Sequence, residues 1–221
     1  MKLSILLPVY NESASLEMLL ARLLPIELDK EIIAVDDCST DNSAEILGKY
    51  AGEKFRVVRH MTNHGKGAAV RTALAHARGE FTLIQDADNE LDPNDIPRLL
   101  EPIYRGEARI VYGARNLKVQ SLGNRLGNTL LTLATNILFG IWIADMETCY
   151  KVMPTEVMRG LDLQANSFDI EPEITAKLAL AGHNIVEVPI SYRPRLQDKK
   201  LRPISEGWRA IRMLLYYRFK G

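Results

Sequence analysis

The feature that most constrains the fold is the alternation of short apolar runs with helix-like segments along the chain. Six runs rich in valine, isoleucine and leucine have the length of strands, and they cover residues 3–9, 31–36, 55–59, 81–85, 109–112 and 185–190. Such an alternation predicts an α/β fold with a mostly parallel sheet that helices cover on both faces.

Two of the intervening segments carry clear helix signals. Four leucines recur at the spacing i, i+3, i+4 and i+7 of one helix face, namely Leu16, Leu19, Leu20 and Leu23. Pro25 is expected to end this helix. The alanine-rich segment of residues 66–79 predicts a second helix, which we expect to close on Gly79 as a C-terminal cap.

Length, charge and cysteine content narrow the class of protein. A chain of 221 residues favours a single domain. The 28 basic residues balance the 28 acidic ones, so no net charge indicates a nucleic-acid partner, although residues 193–221 hold nine basic residues and two acidic ones. Cys38 and Cys149 are too few for a disulfide framework, which indicates a reducing compartment.

Two apolar segments could in principle be a signal peptide or a transmembrane helix. The N-terminal apolar stretch lacks a small-residue cleavage site and runs into polar residues, so we expect a first strand and not a signal peptide. Residues 130–144 are interrupted by Asn136 and Gly140, and at about 15 residues they fall short of the roughly 20 that a transmembrane helix needs. We therefore expect a buried or surface-seated helix there.

Polar stretches follow the predicted strands, at the sheet edge where ligands of such folds gather. The first stretch is PVYNES, with Pro8, Tyr10, Asn11 and Glu12, and the second is AVDDCSTDNS, with Asp36, Asp37 and Asp41. Helix capping is one explanation of both stretches. One cap needs one acceptor, so two successive aspartates also suggest a carboxylate that accepts from ribose hydroxyls or a base N–H.

The third stretch, NHGKGAAVRTA, combines glycines with a cation before a helix. Gly65 and Gly67 would let the backbone approach a ligand, Lys66 supplies positive charge, and the helix begins with open N–H groups. This arrangement suits a diphosphate, although the spacing is not that of a Walker A loop. A glycine-rich turn with a solvated lysine is the alternative.

The fourth stretch, LIQDADNELDP, gathers Asp86, Asp88 and Glu90 at every second position after an apolar run. In an ideal strand the side chains of Asp86 and Asp88 would project to the same side. Carboxylates in contact repel each other, and a hard divalent cation such as Mg²⁺ or Mn²⁺ removes this repulsion. The stretch therefore predicts a metal site, with a solvated acidic loop as the alternative.

Taken together, PVYNE, VDDCSTDNS, NHGKGAAVR and DAD resemble, in order and spacing, the motifs of the GT-A-fold family 2 glycosyltransferases. The resemblance is strongest to the polyprenyl-phosphate sugar synthases, such as dolichol-phosphate mannose synthase, and it covers nearly the whole chain. It implies a GT-A (Rossmann-like) fold, a nucleotide-sugar donor such as GDP-mannose or a UDP-hexose, Mg²⁺ or Mn²⁺, and inversion at the anomeric carbon.

The resemblance also implies roles for donor-side residues. By position, the nucleotide-sugar would contact Pro8, Tyr10, Glu12, Asp37, Lys66 and Asp86. Asp86, Asp88 and Glu90 would serve the metal, with Asp88 as the direct ligand and Glu90 where relatives often have glutamine. Residues 1–115 are accordingly expected to form the donor-binding half of a single domain.

On the acceptor side, residues 116–203 resemble the half that holds the acceptor phosphate in the family. The matching positions are Arg115, Arg125, Thr129, Arg195 and Lys200. The spacing of Arg125 and Thr129 puts both on one face of a helix. A surface ion pair is the alternative for any one arginine. Asp145 matches an aspartate that is a general base in relatives with hydroxyl acceptors, and with a phosphate acceptor it would be a positioning residue.

The chain closes with a basic amphipathic segment, residues 204–221. Trp208, Ile211, Leu215 and Phe219 form an apolar stripe flanked by arginine and lysine, which is typical of peripheral membrane attachment. A terminal helix packed on the domain is the alternative.

The sequence thus predicts an enzyme that moves a sugar to a polyprenyl phosphate at the cytoplasmic membrane face, and it leaves a homo-oligomer open. The first rival is a soluble transferase acting on a saccharide hydroxyl, with Asp145 as base. The second is a nucleotide-sugar sensor or scaffold without activity. Sugar-1-phosphate nucleotidyltransferases are disfavoured because their G-x-G-T-R-x-x-P-L motif is missing near the N-terminus.

Overall fold

A computed structural model describes residues 1–195 and 203–220 of the chain. Within these residues seven strands form one sheet: β1 Leu3–Val9, β2 Lys30–Asp36, β3 Phe55–Arg59, β4 Phe81–Ile84, β5 Val111–Arg115, β6 Lys151–Pro154 and β7 Val186–Ile190. Their order across the sheet is β3-β2-β1-β4-β6-β5-β7. Strand β6 runs antiparallel to β4 and β5, and all other neighbours are parallel. The predicted α/β fold with a mostly parallel sheet is confirmed.

Helices flank this sheet. The described ones are α1 Ser13–Leu23, α2 Ser43–Tyr50, α3 Lys66–His76, α4 Ile96–Tyr104, α5 Leu122–Phe139, α6 Thr155–Gly160, α7 Ile170–Leu180 and α8 Pro203–Lys220. The four leucines predicted on one face of α1 are all fully buried, and the helix ends at Leu23, two residues before Pro25. Every residue of the central strand β1 is buried, as expected of a strand covered on both sides.

The main differences from the predicted elements concern β6, β5 and the end of α3. Strand β6 was not predicted, because its four residues are too short to show a period and it pairs in the antiparallel sense. Strand β5 extends to Arg115, beyond the predicted end at residue 112, because Gly113, Ala114 and Arg115 continue the pairing with β7.

Helix α3 ends at His76, earlier than the predicted cap at Gly79. The Gly79 N–H donates to Ser4 Oγ at 2.7 Å, and a Cβ atom at this position would lie 2.7 Å from the backbone of Lys2 and Ser4. Gly79 is therefore required by close packing against β1 and does not serve as a helix cap.

Helix α5 is surface-seated and exposes its apolar residues. Leu122 is 83% exposed and Ile137 70% exposed, while the buried residues of the helix are Thr132, Thr135 and Asn136. The exposed leucines and isoleucine recur at helical spacing and are called the α5 stripe below: Leu122, Leu126, Leu130, Leu133 and Ile137. Among the described helices, none combines the length and the apolarity that crossing a bilayer requires.

Helix α8 packs on the domain through one side and exposes the other. Ala210 and Leu214 are buried, and the hydroxyl of Tyr217 donates to Glu173 of α7 at 2.6 Å. Three residues of the predicted stripe, Trp208, Leu215 and Phe219, are exposed, and Ile211 is half-buried. The packing on the domain that was the second alternative is thus seen on one side of the helix, while membrane attachment through its exposed apolar side stays a prediction.

Candidate active site

A cavity of about 920 Å³ lies where the loops after β1, β2 and β4 meet α5, α7 and α8. Its lining joins predicted and unpredicted residues. The predicted ones are Pro8, Tyr10, Glu12, Asp37, Lys66, Asp86, Asp88, Glu90, Arg115 and Arg195. The position agrees with the rule that ligands of such sheets bind beyond the carboxyl ends of the strands.

Side chains that follow β2 hydrogen-bond to the backbone at the start of α1. The backbone N–H groups of Asn11, Glu12 and Ser13 donate to Ser39 Oγ, Ser43 Oγ and Asp41 Oδ2, respectively. Burial alone would raise the pKa of Asp41, but hydrogen bonds from Ser43 and Ser13 outweigh it and lower the pKa to about 2. Capping therefore explains Asp41, and this bonding fixes the loop that carries Pro8 and Tyr10.

Asp37 lines the cavity and hydrogen-bonds to the loop that contains Gly65. Its carboxylate accepts the backbone N–H of His64 at 2.9 Å and that of Gly65 at 2.7 Å. The Nδ1 atom of His60 lies 2.6 Å from the same carboxylate, and its Nε2 atom lies 2.9 Å from Thr72 Oγ1. Asp37 thus orients the segment that precedes Lys66.

Gly65 and Gly67 are required by packing within the protein. A Cβ atom at Gly65 would lie 2.3 Å from the carbonyl oxygen of Asn166, and one at Gly67 would lie 2.3 Å from that of Ala165. Gly65 also has a φ of +92°, in the region that favours glycine. The 165–166 backbone is thus one neighbour that these glycines admit, and approach of a ligand stays a prediction, with Gly65 lining the cavity.

Lys66 links the glycine loop to the acidic stretch. Its Nζ atom lies 2.8 Å from Asp86 Oδ1 and 2.7 Å from Glu171 Oε1. Burial alone would lower the pKa of Lys66, but Asp86 and Glu171 outweigh it and raise the pKa well above its usual value. Lys66 is therefore a fixed positive charge inside the cavity.

The acidic stretch lies in a turn and not on a strand. Strand β4 ends at Ile84, and Asn89 has a φ of +60°. Strand alternation therefore does not orient Asp86 and Asp88. Among the described residues the acidic groups do not converge into a set of three metal ligands, because Asp86 turns to Lys66 and Glu90 accepts from the backbone of Arg195.

Asp88 has the environment of a cation ligand. Its Oδ1 atom accepts the Glu90 N–H at 3.0 Å. Burial, followed by the charges of Asp86 and Glu90, raises the pKa of Asp88 to about 7. A divalent cation would relieve this repulsion, and Mg²⁺ in particular is held by one or two carboxylates together with substrate phosphates. The residues present therefore fit a divalent metal centred on Asp88.

Arg195 lies against the donor-side loops. Its guanidinium group pairs with the Glu12 carboxylate and donates to the Asp88 carbonyl oxygen at 3.0 Å. Its backbone N–H donates to Glu90 at 3.0 Å. Arg195 thus ties the acidic turn to the start of α1, in addition to lining the cavity. The predicted Lys200 lies outside the described residues.

Arg115 and Asp145 form a buried bidentate pair. The Nε and Nη2 atoms of Arg115 donate to the two oxygens of Asp145 at 2.6 and 2.8 Å, and the Arg115 backbone N–H donates to the same carboxylate. Burial alone would lower the pKa of Arg115, but Asp145 outweighs it and raises the pKa. Asp145 is fully buried, and its own N–H donates to Glu187, so the Arg115 guanidinium is held against a fixed carboxylate.

Arg125 and Thr129 share one side of α5, and this side does not line the cavity. Both residues are exposed, and Thr129 Oγ1 donates to the Arg125 carbonyl oxygen at 2.8 Å. The cavity side of α5 instead consists of Gly123, Asn124, Gly127, Asn128, Leu130 and Leu131, so Leu130 of the α5 stripe also borders the cavity. The glycine and asparagine pairs, each spaced by four, are the sequence signal for this side.

Sequence reasoning missed several other cavity residues. The Arg115 guanidinium carbon lies 5.2 Å from the centre of the Tyr192 ring. The Tyr192 hydroxyl accepts a hydrogen bond from Gln120 at 2.9 Å. Glu147 and Glu171 also line the cavity. Glu147 lies inside the polar DMETCYK stretch, which could have marked it as a site residue. No sequence pattern around Glu171 marks it in the same way.

Known proteins that resemble this chain include glycosyltransferases. The profile of the family described as "Glycosyl transferase family 2" matches residues 4–157. A low-salt glycan biosynthesis hexosyltransferase of Haloferax volcanii is 27% identical over 96% of this chain and 53% of its own length. A dolichol-phosphate mannosyltransferase of Pyrococcus furiosus is 31% identical over 97% of this chain and 64% of its own length. The chain thus spans about half to two thirds of these relatives.

Solved structures support the fold. Glucosyl-3-phosphoglycerate synthase from Mycobacterium tuberculosis, crystallised with Mn²⁺, UDP and phosphoglyceric acid, superposes with a TM-score of 0.76. The match covers 99% of this chain and 78% of the synthase at 20% identity, so it bears on the fold alone. Because the family profile covers more than half of the chain, the identity follows from the sequence match: the chain belongs to glycosyl transferase family 2.

Proposed function

We propose that the protein transfers a sugar from a nucleotide-sugar, GDP-mannose or a UDP-hexose, to a polyprenyl phosphate at the cytoplasmic face of a membrane. The observation that carries the proposal is the composition of the cavity described above. Lys66 and the acidic turn line one part of it, and the Arg115 guanidinium, held by Asp145, lines another. Residues 1–115 would supply the donor half and residues 116–203 the acceptor half.

The donor half can stabilise a departing nucleoside diphosphate. The leaving group gains negative charge as its bond to the anomeric carbon breaks, and fixed cations stabilise this charge without reorganising. Lys66 is such a cation, held in place by Asp86 and Glu171. A divalent metal, when bound by Asp88, would add Lewis-acid stabilisation of the same phosphates.

On the acceptor side, Arg115 can hold the incoming phosphate, since its planar fork matches phosphate oxygens. A phosphate is already ionised near neutral pH, so its attack on the face opposite the leaving group needs no general base. Both oxygens of Asp145 accept from Arg115, an arrangement that favours the positioning role over the base role. Inversion would follow from this single displacement.

Two exposed apolar surfaces support attachment to a membrane. The α5 stripe and the outer side of α8, with Trp208 and Phe219, belong to helices that pack against each other. Basic residues flank them, including Arg125 on α5 and Arg218 on α8. Apolar side chains beside basic ones are typical of helices that lie in the lipid interface. A homo-oligomer that covers the same residues is the competing use of this surface.

A radiolabelled transfer assay tests the proposal. Purified protein is incubated with labelled GDP-mannose or UDP-glucose, Mn²⁺ and either undecaprenyl phosphate or a saccharide acceptor. We expect label in the organic phase with the lipid phosphate only, and none when EDTA is present. Label on the saccharide would favour the hydroxyl-acceptor rival. Donor binding without any transfer would favour a sensor or scaffold.

A further inference from the structure

Glu147 has no role in the contacts described above, although it lines the cavity. Its Oε1 atom is buried and has no hydrogen-bond partner among the described residues. A buried carboxylate oxygen without a donor is costly, because it has lost its hydration and gained nothing in return. Such an atom in a cavity wall indicates a ligand that brings a hydrogen-bond donor.

Glu171 presents a second carboxylate to the same cavity. The residue is 3% exposed, and its Oε1 atom forms an ion pair with Lys66 at 2.7 Å that is not aligned as a hydrogen bond. Its Oε2 atom has no partner among the described residues. Glu171 is thus a deeply buried carboxylate with accepting capacity left over.

The two carboxylates act on each other, and the Lys151 ammonium group, whose charge acts on both, is hydrogen-bonded elsewhere. Burial, followed by the charge of Glu171, raises the pKa of Glu147 to about 7, while Lys151 and Arg115 oppose the rise. The ammonium group of Lys151 instead donates to the carbonyl oxygens of Met146 and Thr148. The buried oxygens of Glu147 and Glu171 therefore still lack hydrogen-bond donors, which a ligand would have to supply.

The position of the pair narrows the ligand. Glu171 contacts Lys66, which we assign to the diphosphate, and Glu147 lies within electrostatic reach of Arg115, which we assign to the acceptor. The group between a leaving diphosphate and an attacking acceptor is the transferred sugar. Two carboxylates repel a phosphate, whereas they match a neutral ring that carries several hydroxyl donors.

We propose that Glu147 and Glu171 accept hydrogen bonds from hydroxyl groups of the donor's sugar ring and thereby select the sugar. This inference rests on the proposed function. It assigns a specificity role to two residues, one from the loop before β6 and one from α7. A site built to bind a particular hydroxyl rejects analogues that lack it, because its buried acceptors are then left unpaired.

The test compares nucleotide-sugars with the bare nucleotide. Dissociation constants are measured by calorimetry, with Mn²⁺, for UDP, GDP, UDP-glucose, UDP-galactose and GDP-mannose. For the nucleotide-sugar that binds best, Glu147→Gln is expected to weaken affinity by about 10- to 100-fold, the worth of a buried hydrogen bond to a charged group. Affinity for the matching nucleoside diphosphate should change less than about 3-fold. Glu156→Gln is the matched control, since Glu156 lies on the surface beside Arg109, and it should change neither affinity.

A second measurement begins with the wild-type protein. Analogues of the best nucleotide-sugar that each lack one ring hydroxyl are titrated into the wild-type protein. At least one analogue should bind about 10-fold more weakly or worse, and Glu147→Gln or Glu171→Gln should bind that analogue and the parent equally.

The other outcomes are distinct. Equal losses for the nucleotide-sugar and the nucleoside diphosphate would assign the pair to the phosphates or the metal and overturn the inference alone. Unchanged affinities in both variants, or equal binding of all analogues, would also overturn it. A wild-type protein that binds none of the five nucleotides would overturn the proposed function, and this inference with it.

Discussion

Asp88 sits where burial and two neighbouring carboxylates, Asp86 and Glu90, all disfavour its ionised form. Asp88→Asn should therefore lower turnover by about 100- to 1000-fold or more, through loss of the metal, and yet stabilise the metal-free fold. We expect the Tm in EDTA to rise by a few degrees, since about 1 kcal/mol corresponds to about 2–4 °C in a chain of this size. Initial rates and thermal unfolding check this. A variant with near-wild-type turnover would contradict the metal assignment.

Glu147 predicts a pH dependence of stability. Its pKa is raised from the usual 4.5 to about 7 in the folded protein. Between these values the folded chain holds a proton that the unfolded chain has released, so the free energy of unfolding falls as pH rises through this window and levels off above it. Unfolding in EDTA between pH 5 and 8 should show this slope, and Glu147→Gln should reduce it. An unchanged slope in the variant would refute the assignment.

Asp145 distinguishes the two acceptor chemistries. If it positions Arg115 for a phosphate acceptor, Asp145→Asn should lower kcat only moderately, about 10-fold. If it is a general base for a hydroxyl, the loss should approach the upper part of the 100- to 10,000-fold range. The pH–rate profile decides between them, because only a base leaves an acidic limb that the variant loses. Folded protein must be quantified in parallel, since the change removes one partner of a buried ion pair.

At the scale of elements, α5 and α8 carry the membrane hypothesis. Replacing Leu126 and Leu133 of the α5 stripe with glutamate should weaken binding to phosphatidylglycerol-containing vesicles by about 100-fold or more, because each buried leucine contributes about 1.5–3 kcal/mol. Leu215→Ser with Phe219→Ser should act in the same direction, since both side chains are exposed on α8. Nucleotide affinity should stay within about 3-fold, because none of these four side chains lines the cavity.

Vesicle sedimentation at low and high salt measures this binding. The matched control is Tyr104→Ser, which removes an exposed aromatic residue from α4. Binding that is lost equally in the control, or is absent in the wild-type protein at low salt, would contradict the membrane role. A change in sedimentation equilibrium without vesicles would instead assign the α5 stripe to a contact between copies of the chain.

The elements also show what a sequence can and cannot predict. The leucine period of α1 and the apolar run of β1 reflect burial directly, so both were predicted within a residue or two. The α5 stripe has a similar period, but the period of a helix does not say whether its apolar side faces a core or a lipid surface. Strand β6 is four residues long and left no period to detect.

At the scale of the whole molecule, the site was predictable where it follows the sheet. Asp37 and Asp86 lie in the loops after β2 and β4, Lys66 begins the helix that follows β3, and the carboxyl-edge rule brings these positions together. Arg195 and Glu171 reach the same cavity from distant parts of the chain. Their partners, Glu12 and Lys66, are set by tertiary packing that no local pattern encodes.

The contact between the glycine loop and the 165–166 backbone limits how the protein could be rebuilt from parts. Gly65 and Gly67 face the carbonyl oxygens of Asn166 and Ala165 without room for a methyl group, and Arg71 donates to the same two residues. A change in one segment therefore requires a matching change in the other, although about a hundred positions separate them in the chain. In chimaeras with a relative, a donor loop grafted alone would meet a foreign backbone, whereas both segments transplanted together would keep their fit.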